Sequence, residues 1–119
     1  LALASEKLEA AQALALTPRL PIHTPKIHGS LNLVGARFDD VTLATYHETP
    51  NPKSPEITLL SPVQTKGAYF IDFGWKGPVK VPDVTTVWKV KEPTESLVPH
   101  KPVTLYWDNG EGLAFERII

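Results

Sequence analysis

Proline limits the fold of this chain more than any other residue, because it cannot donate a hydrogen bond within a helix or a sheet ladder. The 119 residues include twelve prolines, about twice the average usage. They are Pro18, Pro21, Pro25, Pro50, Pro52, Pro55, Pro62, Pro78, Pro82, Pro93, Pro99 and Pro102. Only short elements fit between them, and short elements separated by turns are typical of an all-β domain.

The stretch that favours a helix lies before this region. Residues 5–16, SEKLEAAQALAL, are mostly strong helix formers, Ser5 can cap the N-terminus, and Pro18 follows the run. The apolar face is mostly alanine and buries little. We therefore expect a short helix or linker over residues 1–20 and a β-domain over residues 21–119.

Beyond Pro21 the hydrophobic residues recur with a period of two, which predicts about eight short strands in a mostly antiparallel β-sandwich. Three runs place large side chains on a shared face: Tyr69, Ile71, Phe73 and Trp75; Thr86, Trp88 and Val90; Val103, Leu105 and Trp107. The first run predicts a core strand. Residues 108–112, DNGEG, predict a hairpin turn, because glycine adopts positive φ without strain.

The charge balance argues against two classes of partner. Twelve Lys and Arg residues against thirteen Asp and Glu residues give a formal net charge of −1, and no block of like charge stands out. A nucleic-acid binder needs a basic stripe that neutralises phosphates, and a membrane-surface segment needs a polybasic cluster. The chain also has no cysteine, which excludes disulfides, thiol catalysis and cysteine-based zinc sites.

Residues 29–40, GSLNLVGARFDD, alternate like a strand and then stop at two acids. Glycoside hydrolysis needs two carboxylates that face each other about 5 to 9.5 Å apart, whereas neighbours on a strand point to opposite faces. Aspartate also favours turns, because its side chain bonds nearby backbone N–H groups. We therefore predict that Asp39 and Asp40 mark a sharp turn between two strands and are not a catalytic pair.

The other polar candidates form no constellation that carries chemistry. The four histidines are His23, His28, His47 and His100. The first two are five residues apart, which on one strand puts them on opposite faces, and a zinc site needs three or four compactly spaced ligands. Gly110 and Gly112 lack the third glycine and the helix of a phosphate loop. The sequence therefore predicts no catalytic, cofactor-binding or metal-binding residue, and no cofactor.

The aromatic residues admit two interpretations. They are Trp75, Trp88 and Trp107, with Tyr69 and Tyr106. An open row of rings can stack against sugars, whereas in a small β-domain the same rings usually fill the core. These residues fall on the regular apolar faces of the predicted strands, which favours the core.

Three stretches together resemble a known family. They are IHGSLNLVGARFDDVTLATYHET (residues 27–49), SPEITLLSPVQTKGAYFIDFGW (residues 54–75) and VTLYWDNGEGLAFERII (residues 103–119). In order and combination they look like the first periplasmic domain of the bacterial membrane protein insertase family YidC, and the likeness is nearest to its alphaproteobacterial branch. The resemblance covers about residues 20–119.

The resemblance implies that residues 1–20 are a linker after a transmembrane anchor and that residues 21–119 are the N-terminal portion of a periplasmic domain. That domain is a β-supersandwich, similar to galactose mutarotase, in a protein that inserts and folds inner-membrane proteins alone or with the Sec translocon. The catalytic His and Glu of mutarotases have no recognisable match here. The chain contains no methionine, even at position 1, so Leu1 is expected to be internal to a longer product.

Taken together, the residues and the resemblance favour a periplasmic accessory module of an inner-membrane insertase, which is not an enzyme and acts in protein contact or as a spacer. Its expected partners are Sec translocon components and nascent membrane proteins, reached through the full-length protein. The alternative is a carbohydrate-binding or mutarotase-like β-sandwich module. Residues 116–119, ERII, still have a strand pattern, so exposed sheet edges are expected to let the fragment dimerise.

Overall fold

The regular structure of the part of the chain that the structure describes is almost entirely β. A computed structural model describes residues 10–119, in which one short helix, α1 (Ala10–Leu14), precedes seven strands. The strands are β1 (Arg19–His23), β2 (Ile27–Asn32), β3 (Arg37–His47), β4 (Glu56–Leu60), β5 (Lys89–Val90), β6 (Thr104–Asp108) and β7 (Ala114–Ile118). The first part of the predicted helix, residues 5–9, lies outside the described residues.

Two antiparallel sheets contain these strands. The first sheet has the order β1-β2-β3-β4, and the second has the order β5-β6-β7. Neighbours in sequence are therefore neighbours in each sheet, as is usual for consecutive strands. The prediction of an all-β, mostly antiparallel fold is confirmed, and the two layers are consistent with a β-sandwich.

The core lies where the two sheets face each other. Leu20 and Leu31 from the first sheet pack in one cluster with Trp88 and Leu105. Trp88 is 1% exposed, and its backbone N–H donates to the carbonyl oxygen of Leu33 at 2.8 Å. Because a buried aromatic side chain removes about 150–250 Å² from water, Trp88 is a main source of hydrophobic stabilisation. Two predicted inward-facing runs are confirmed: Thr86, Trp88 and Val90; Val103, Leu105 and Trp107.

The turn between β6 and β7 depends on glycines with positive φ. Gly110 has φ 74° and Gly112 has φ 94°. The side-chain oxygen of Asn109 accepts hydrogen bonds from the N–H groups of Glu111 and Leu113, at 2.7 and 3.2 Å, which fixes the loop from within. The hairpin turn predicted from DNGEG is therefore confirmed.

The segment with Tyr69, Ile71, Phe73 and Trp75 is not the predicted core strand. It forms two isolated bridges, at Tyr69 and Ile71, and belongs to none of the seven strands. The exposed fractions are 71% for Tyr69, 46% for Ile71, 57% for Phe73 and 38% for Trp75. The period-two alternation of the sequence identified side chains that share one face of this segment. A face is buried only where a second layer of the protein packs against it. The described residues leave much of this face open.

Candidate functional site

Asp39 and Asp40 lie inside β3 and not at a turn. The chain reverses earlier, at residues 33–36, where Gly35 and Ala36 have φ of 80° and 50°. The prediction that the two acids bend the chain is therefore wrong. The turn propensity of aspartate is overridden here, because the positive-φ pair closes the hairpin before the acids are reached.

A β-bulge sets the direction of the two carboxylates. Ser30 pairs with Asp40, but the next residue, Leu31, pairs with Phe38, so Asp39 is an extra residue in β3. A bulge redirects side chains and breaks strict alternation at that point. The expectation that adjacent acids must reach separate surroundings therefore fails at this position.

One connected polar network holds both carboxylates. The guanidinium of Arg19 donates to both oxygens of Asp39, at 2.7 and 3.0 Å, and Asn32 Nδ2 donates to Asp39 at 3.3 Å. Ser30 Oγ donates to Asp40 at 2.7 Å and accepts from Arg19 Nη1 at 3.3 Å. Asp39 is 1% exposed. Since a buried charge is tolerated only when paired, this network indicates a structural role for the acids.

Two histidines that the sequence placed on opposite faces lie side by side. His23 and His28 are direct partners across the β1–β2 hairpin, and their rings stack with centroids 5.6 Å apart and planes 4° from parallel. His28 Nδ1 lies 3.2 Å from Glu56 Oε2, and Thr42 Oγ1 donates to Glu56 Oε1 at 2.8 Å. The prediction failed because a turn lies between the two histidines, so they belong to different strands. Together, His23, His28, Glu56 and Thr42 form a polar row across the first sheet.

Glu56 is the anion of this row. The hydroxyl of Thr42 is the main cause that lowers the pKa of the Glu56 carboxyl below its ordinary value of 4.5, and His28 and His47 lower it further, while desolvation opposes them. Within residues 10–119, no three or more His, Asp and Glu side chains are grouped so that they could hold a metal ion. The side chains of the row run from strand to strand and do not converge on one point. Their contacts therefore stabilise the sheet.

An apolar cavity, the first part of a longer groove, opens beside the core. Its volume is about 500 Å³. The floor is the inner face of the first sheet, where Ile22, Val41 and Leu60 line the groove, and the walls are residues 97–99 on one side and Ile71 with Phe73 on the other. Lys101 is the charged residue of the lining. Such a surface binds hydrocarbon side chains well and polar ligands poorly, because it offers few hydrogen-bond partners.

A second cavity of about 510 Å³ adjoins the first and shares Phe38, Phe73 and Ile119 with it. Arg117 lies over the Phe73 ring, at 5.5 Å from the centroid, and its Nη2 donates to the Phe73 carbonyl oxygen at 3.3 Å. Partial burial lowers the pKa of the Arg117 guanidinium below its ordinary value. We call the two cavities together the groove. Sequence reasoning missed it, although its signal, the aromatic run that includes Phe73, was already recognised and assigned to the core.

The three tryptophans have different surroundings. Trp88 fills the core, and Trp107 is partly buried with its ring centroid 5.9 Å from that of Phe115. Trp75 meets the same phenylalanine edge-on at 5.2 Å but keeps one side open. The core interpretation is therefore correct for Trp88 and largely for Trp107, whereas Trp75 and Tyr69 lie on the open side of the domain.

The match to known proteins covers nearly all of this fold. Residues 19–119 match the family model of the YidC periplasmic domain. The chain belongs to this family. It is 48% identical to the membrane protein insertase YidC of Methylorubrum extorquens over 90% of this chain and 17% of that protein. It is 52% identical to YidC of Methylobacterium radiotolerans and 48% identical to YidC of Bradyrhizobium diazoefficiens, over 90% of this chain and 17% and 18% of those proteins.

The family expected from the sequence is confirmed, including its alphaproteobacterial relatives. The YidC periplasmic domain is part of an inner-membrane protein, so the expected periplasmic location is confirmed as well. The chain spans less than a fifth of the length of these curated relatives. No solved structure matches it significantly. In the part that the structure describes, no helix has the length and apolar character that crossing a bilayer requires.

Proposed function

We propose that this YidC periplasmic domain serves a membrane protein insertase as an accessory module for protein contact or spacing, and that it is not an enzyme. The proposal depends on how the polar side chains are used. Asp39 and Asp40 are bound inside the fold, and Glu56 is bound to Thr42 and His28. The groove is lined mainly by apolar side chains, which supports binding of polypeptide over catalysis there.

A catalytic site needs a nucleophile or base, an orienting partner and a stabilising donor that converge on one position about 3 Å away. Next to the groove lining, Arg37 and Asp72 are instead paired with each other. Arg37 Nε lies 2.8 Å from Asp72 Oδ1 and stacks over the ring of Phe70. These contacts of Arg37 indicate that the charged side chains here stabilise the fold.

The finer part of the proposal concerns the whole protein. Residues 1–20 act as a linker from a membrane anchor, and residues 21–119 form the N-terminal portion of the periplasmic domain. Contact with Sec translocon components and nascent membrane proteins takes place through the full-length insertase. The relatives are named as membrane protein insertases, and the low net charge of −1 suits contact with proteins better than steering toward a polyanion.

Replacement of the domain in the full-length insertase tests this proposal. One version lacks residues 21–119, and a second carries an unrelated periplasmic β-domain of similar size in their place. We expect both to co-purify with less translocon if the domain makes contact, and only the first to do so if it is a spacer. Normal recovery of translocon in both versions, with normal insertion of a substrate membrane protein, would contradict both roles.

A second candidate, a carbohydrate-binding module, is favoured by the exposure of Tyr69 and Trp75. Sugars need polar partners beside the rings, and the nearby Asp72 is already paired with Arg37. Titration with oligosaccharides, followed by tryptophan fluorescence, decides the point. Quenching in the native chain that disappears in Trp75→Phe supports sugar binding. Unchanged fluorescence throughout the titration excludes this site.

A further inference from the structure

The β6–β7 turn contains a dipeptide with covalent chemistry of its own. Asn109 precedes Gly110, and an asparagine before a glycine loses its side-chain ammonia most readily, because no Cβ atom shields the glycine nitrogen. The Gly110 nitrogen attacks Cγ of Asn109, the new C–N bond closes a five-membered succinimide ring, and the Cγ–Nδ2 bond breaks. Ammonia leaves with the proton of the Gly110 nitrogen. Water then opens the ring at either carbonyl, which gives aspartate or isoaspartate.

The folded turn restrains both reacting groups. The Gly110 N–H donates to Asp108 Oδ1 at 2.7 Å, and the negative charge of this carboxylate opposes removal of the proton. Asn109 is 3% exposed. Its Oδ1 accepts from two N–H groups farther along the turn, and its Nδ2 donates to the Lys80 carbonyl oxygen at 3.0 Å. Both polar atoms of the side-chain amide therefore have partners in the fold, and the attack on Cγ requires the amide to leave them.

We propose that Asn109 and Gly110 form a deamidation site that reacts only when the β6–β7 turn opens and releases its contact with residues 78–80. Lys80 belongs to none of the seven strands, so the hydrogen bond from Asn109 ties an irregular segment to the end of the second sheet. A turn opens locally at a lower free-energy cost than the whole domain, because few contacts must break. Reclosing is fast compared with loss of ammonia. The rate of modification is therefore the rate in the open chain multiplied by the fraction of molecules that are open.

The modification makes this opening permanent. An ionised aspartate accepts hydrogen bonds but cannot donate them, so in place of Asn109 it would face the Lys80 carbonyl oxygen with no proton between them. Isoaspartate also leads the main chain through the side-chain methylene group, which adds one carbon atom to the turn. The Asn109 N–H, which donates to the Leu113 carbonyl oxygen at 3.0 Å, then loses its register with that acceptor. A molecule whose turn has opened and reacted is therefore marked covalently and cannot restore the contact with residues 78–80.

Peptide mapping of the full-length insertase by mass spectrometry measures the conversion, because each product carries an acid in place of an amide. The protein is incubated at neutral pH in its folded form in detergent and, in parallel, in strong denaturant. We expect Asn109 to convert at least tenfold more slowly in the folded protein. Asn51 is exposed and precedes Pro52, which has no N–H, so it is the internal control and should convert in neither sample. Equal rates at Asn109 in the two samples would overturn the inference.

Two variants test how the turn restrains the reaction. Asp108→Ala frees the Gly110 N–H, whereas Glu111→Ala removes the same charge from the same turn and keeps that hydrogen bond. In the folded protein, we expect Asp108→Ala to convert several times faster than the native protein and Glu111→Ala to convert at the native rate. In denaturant all three should react alike. Protection of the β6 N–H groups from hydrogen exchange shows that each variant is folded. A folded Asp108→Ala protein that converts at the native rate would contradict the role of Asp108.

Asn109→Asp reproduces one product and tests the consequence of the reaction. We expect trypsin to cleave this variant after Lys80 at least tenfold faster than the native protein, because the segment around Lys80 has lost its tie. Cleavage after Lys53, which is exposed in the loop between β3 and β4, is the internal control and should not change. Equal cleavage after Lys80 in both proteins would contradict the release of residues 78–80. These measurements follow the covalent state of one turn, so they hold or fail independently of translocon contact.

Discussion

Arg19 and Asp39 form a two-pronged ion pair that fastens β1 to the bulge of β3, with distances of 2.7 Å from Nη1 to Oδ1 and 3.0 Å from Nη2 to Oδ2. The two side chains are 9% and 1% exposed. They are separated by 20 positions in sequence, and β2 lies between their strands. Asp39, which in the sequence stands beside a second acid, is therefore one partner of a buried ion pair that connects two strands.

We predict that Asp39→Ala lowers the free energy of unfolding by about 3 kcal/mol, because it leaves the Arg19 guanidinium buried without its counterion. The double variant Arg19→Met with Asp39→Leu should recover most of the loss, since no uncompensated charge remains. Urea unfolding of the native chain and the variants measures both values. If Asp39→Ala and native chains unfold at the same urea concentration, the pair is not a structural connection.

We predict that Gly29→Ala is destabilising by about 3 kcal/mol. A Cβ atom at this position would lie 2.0 Å from the backbone oxygen of Asp40, and φ is 152°. Gly74→Ala is the matched control, because a Cβ there meets nothing within 4 Å. Thermal unfolding should show a large decrease in Tm for the first variant and little change for the second. Equal Tm values would show that the β2–β3 approach is looser than the structure indicates.

The polar row predicts a specific pH dependence. The pKa of Glu56 is lowered mainly by the hydrogen bond from Thr42, so this group contributes stability that is present above its ordinary pKa of 4.5. That contribution is lost as the pH falls through the lower folded value. We expect Thr42→Val to move the pKa of Glu56 back toward 4.5, as measured by carboxyl NMR titration. Thr45→Val, at an exposed position nearby in β3, should leave it unchanged.

We predict that Trp88→Ala costs about 4 kcal/mol of stability, because it leaves a large cavity between the sheets. Val87→Ala, at the exposed neighbouring position, should cost far less. Acrylamide quenching adds a second measurement, in which Trp75 is accessible and Trp88 is protected. The assignment of Trp88 to the core would be refuted by strong quenching in a chain that keeps Trp88 as its single tryptophan.

The isolated chain is predicted to self-associate through the free edge of β7, which extends from Ala114 to Ile118. Ile118 is exposed there, and Ile118→Lys places a charge at the edge, which should disfavour strand pairing. Val84→Lys introduces the same charge at an exposed position outside the strands. Sedimentation at high concentration should show dimers for the native chain and for Val84→Lys, and monomers for Ile118→Lys. A native chain that stays monomeric counts against the prediction.

Much of the fold was predictable from local pattern. Period-two alternation placed Trp88 and Leu105 inside, and the glycines of DNGEG placed the β6–β7 turn, because strand geometry and positive φ are properties of a few adjacent residues. Prolines likewise kept most strands short, but β3 has eleven residues, because no proline lies between Pro25 and Pro50. The family followed from motifs in the right order, and the match over residues 19–119 confirms it.

Contacts between distant residues could not be predicted in this way. The bulge at Asp39 depends on the register between β2 and β3, and the stacking of His23 on His28 depends on a turn that lies between them. The exposure of Phe73 depends on how far the second layer extends. A sequence determines which side chains share a face, because that is set by the backbone within each strand. Only the tertiary structure decides what lies opposite that face, because burial and ion pairing require two segments to meet.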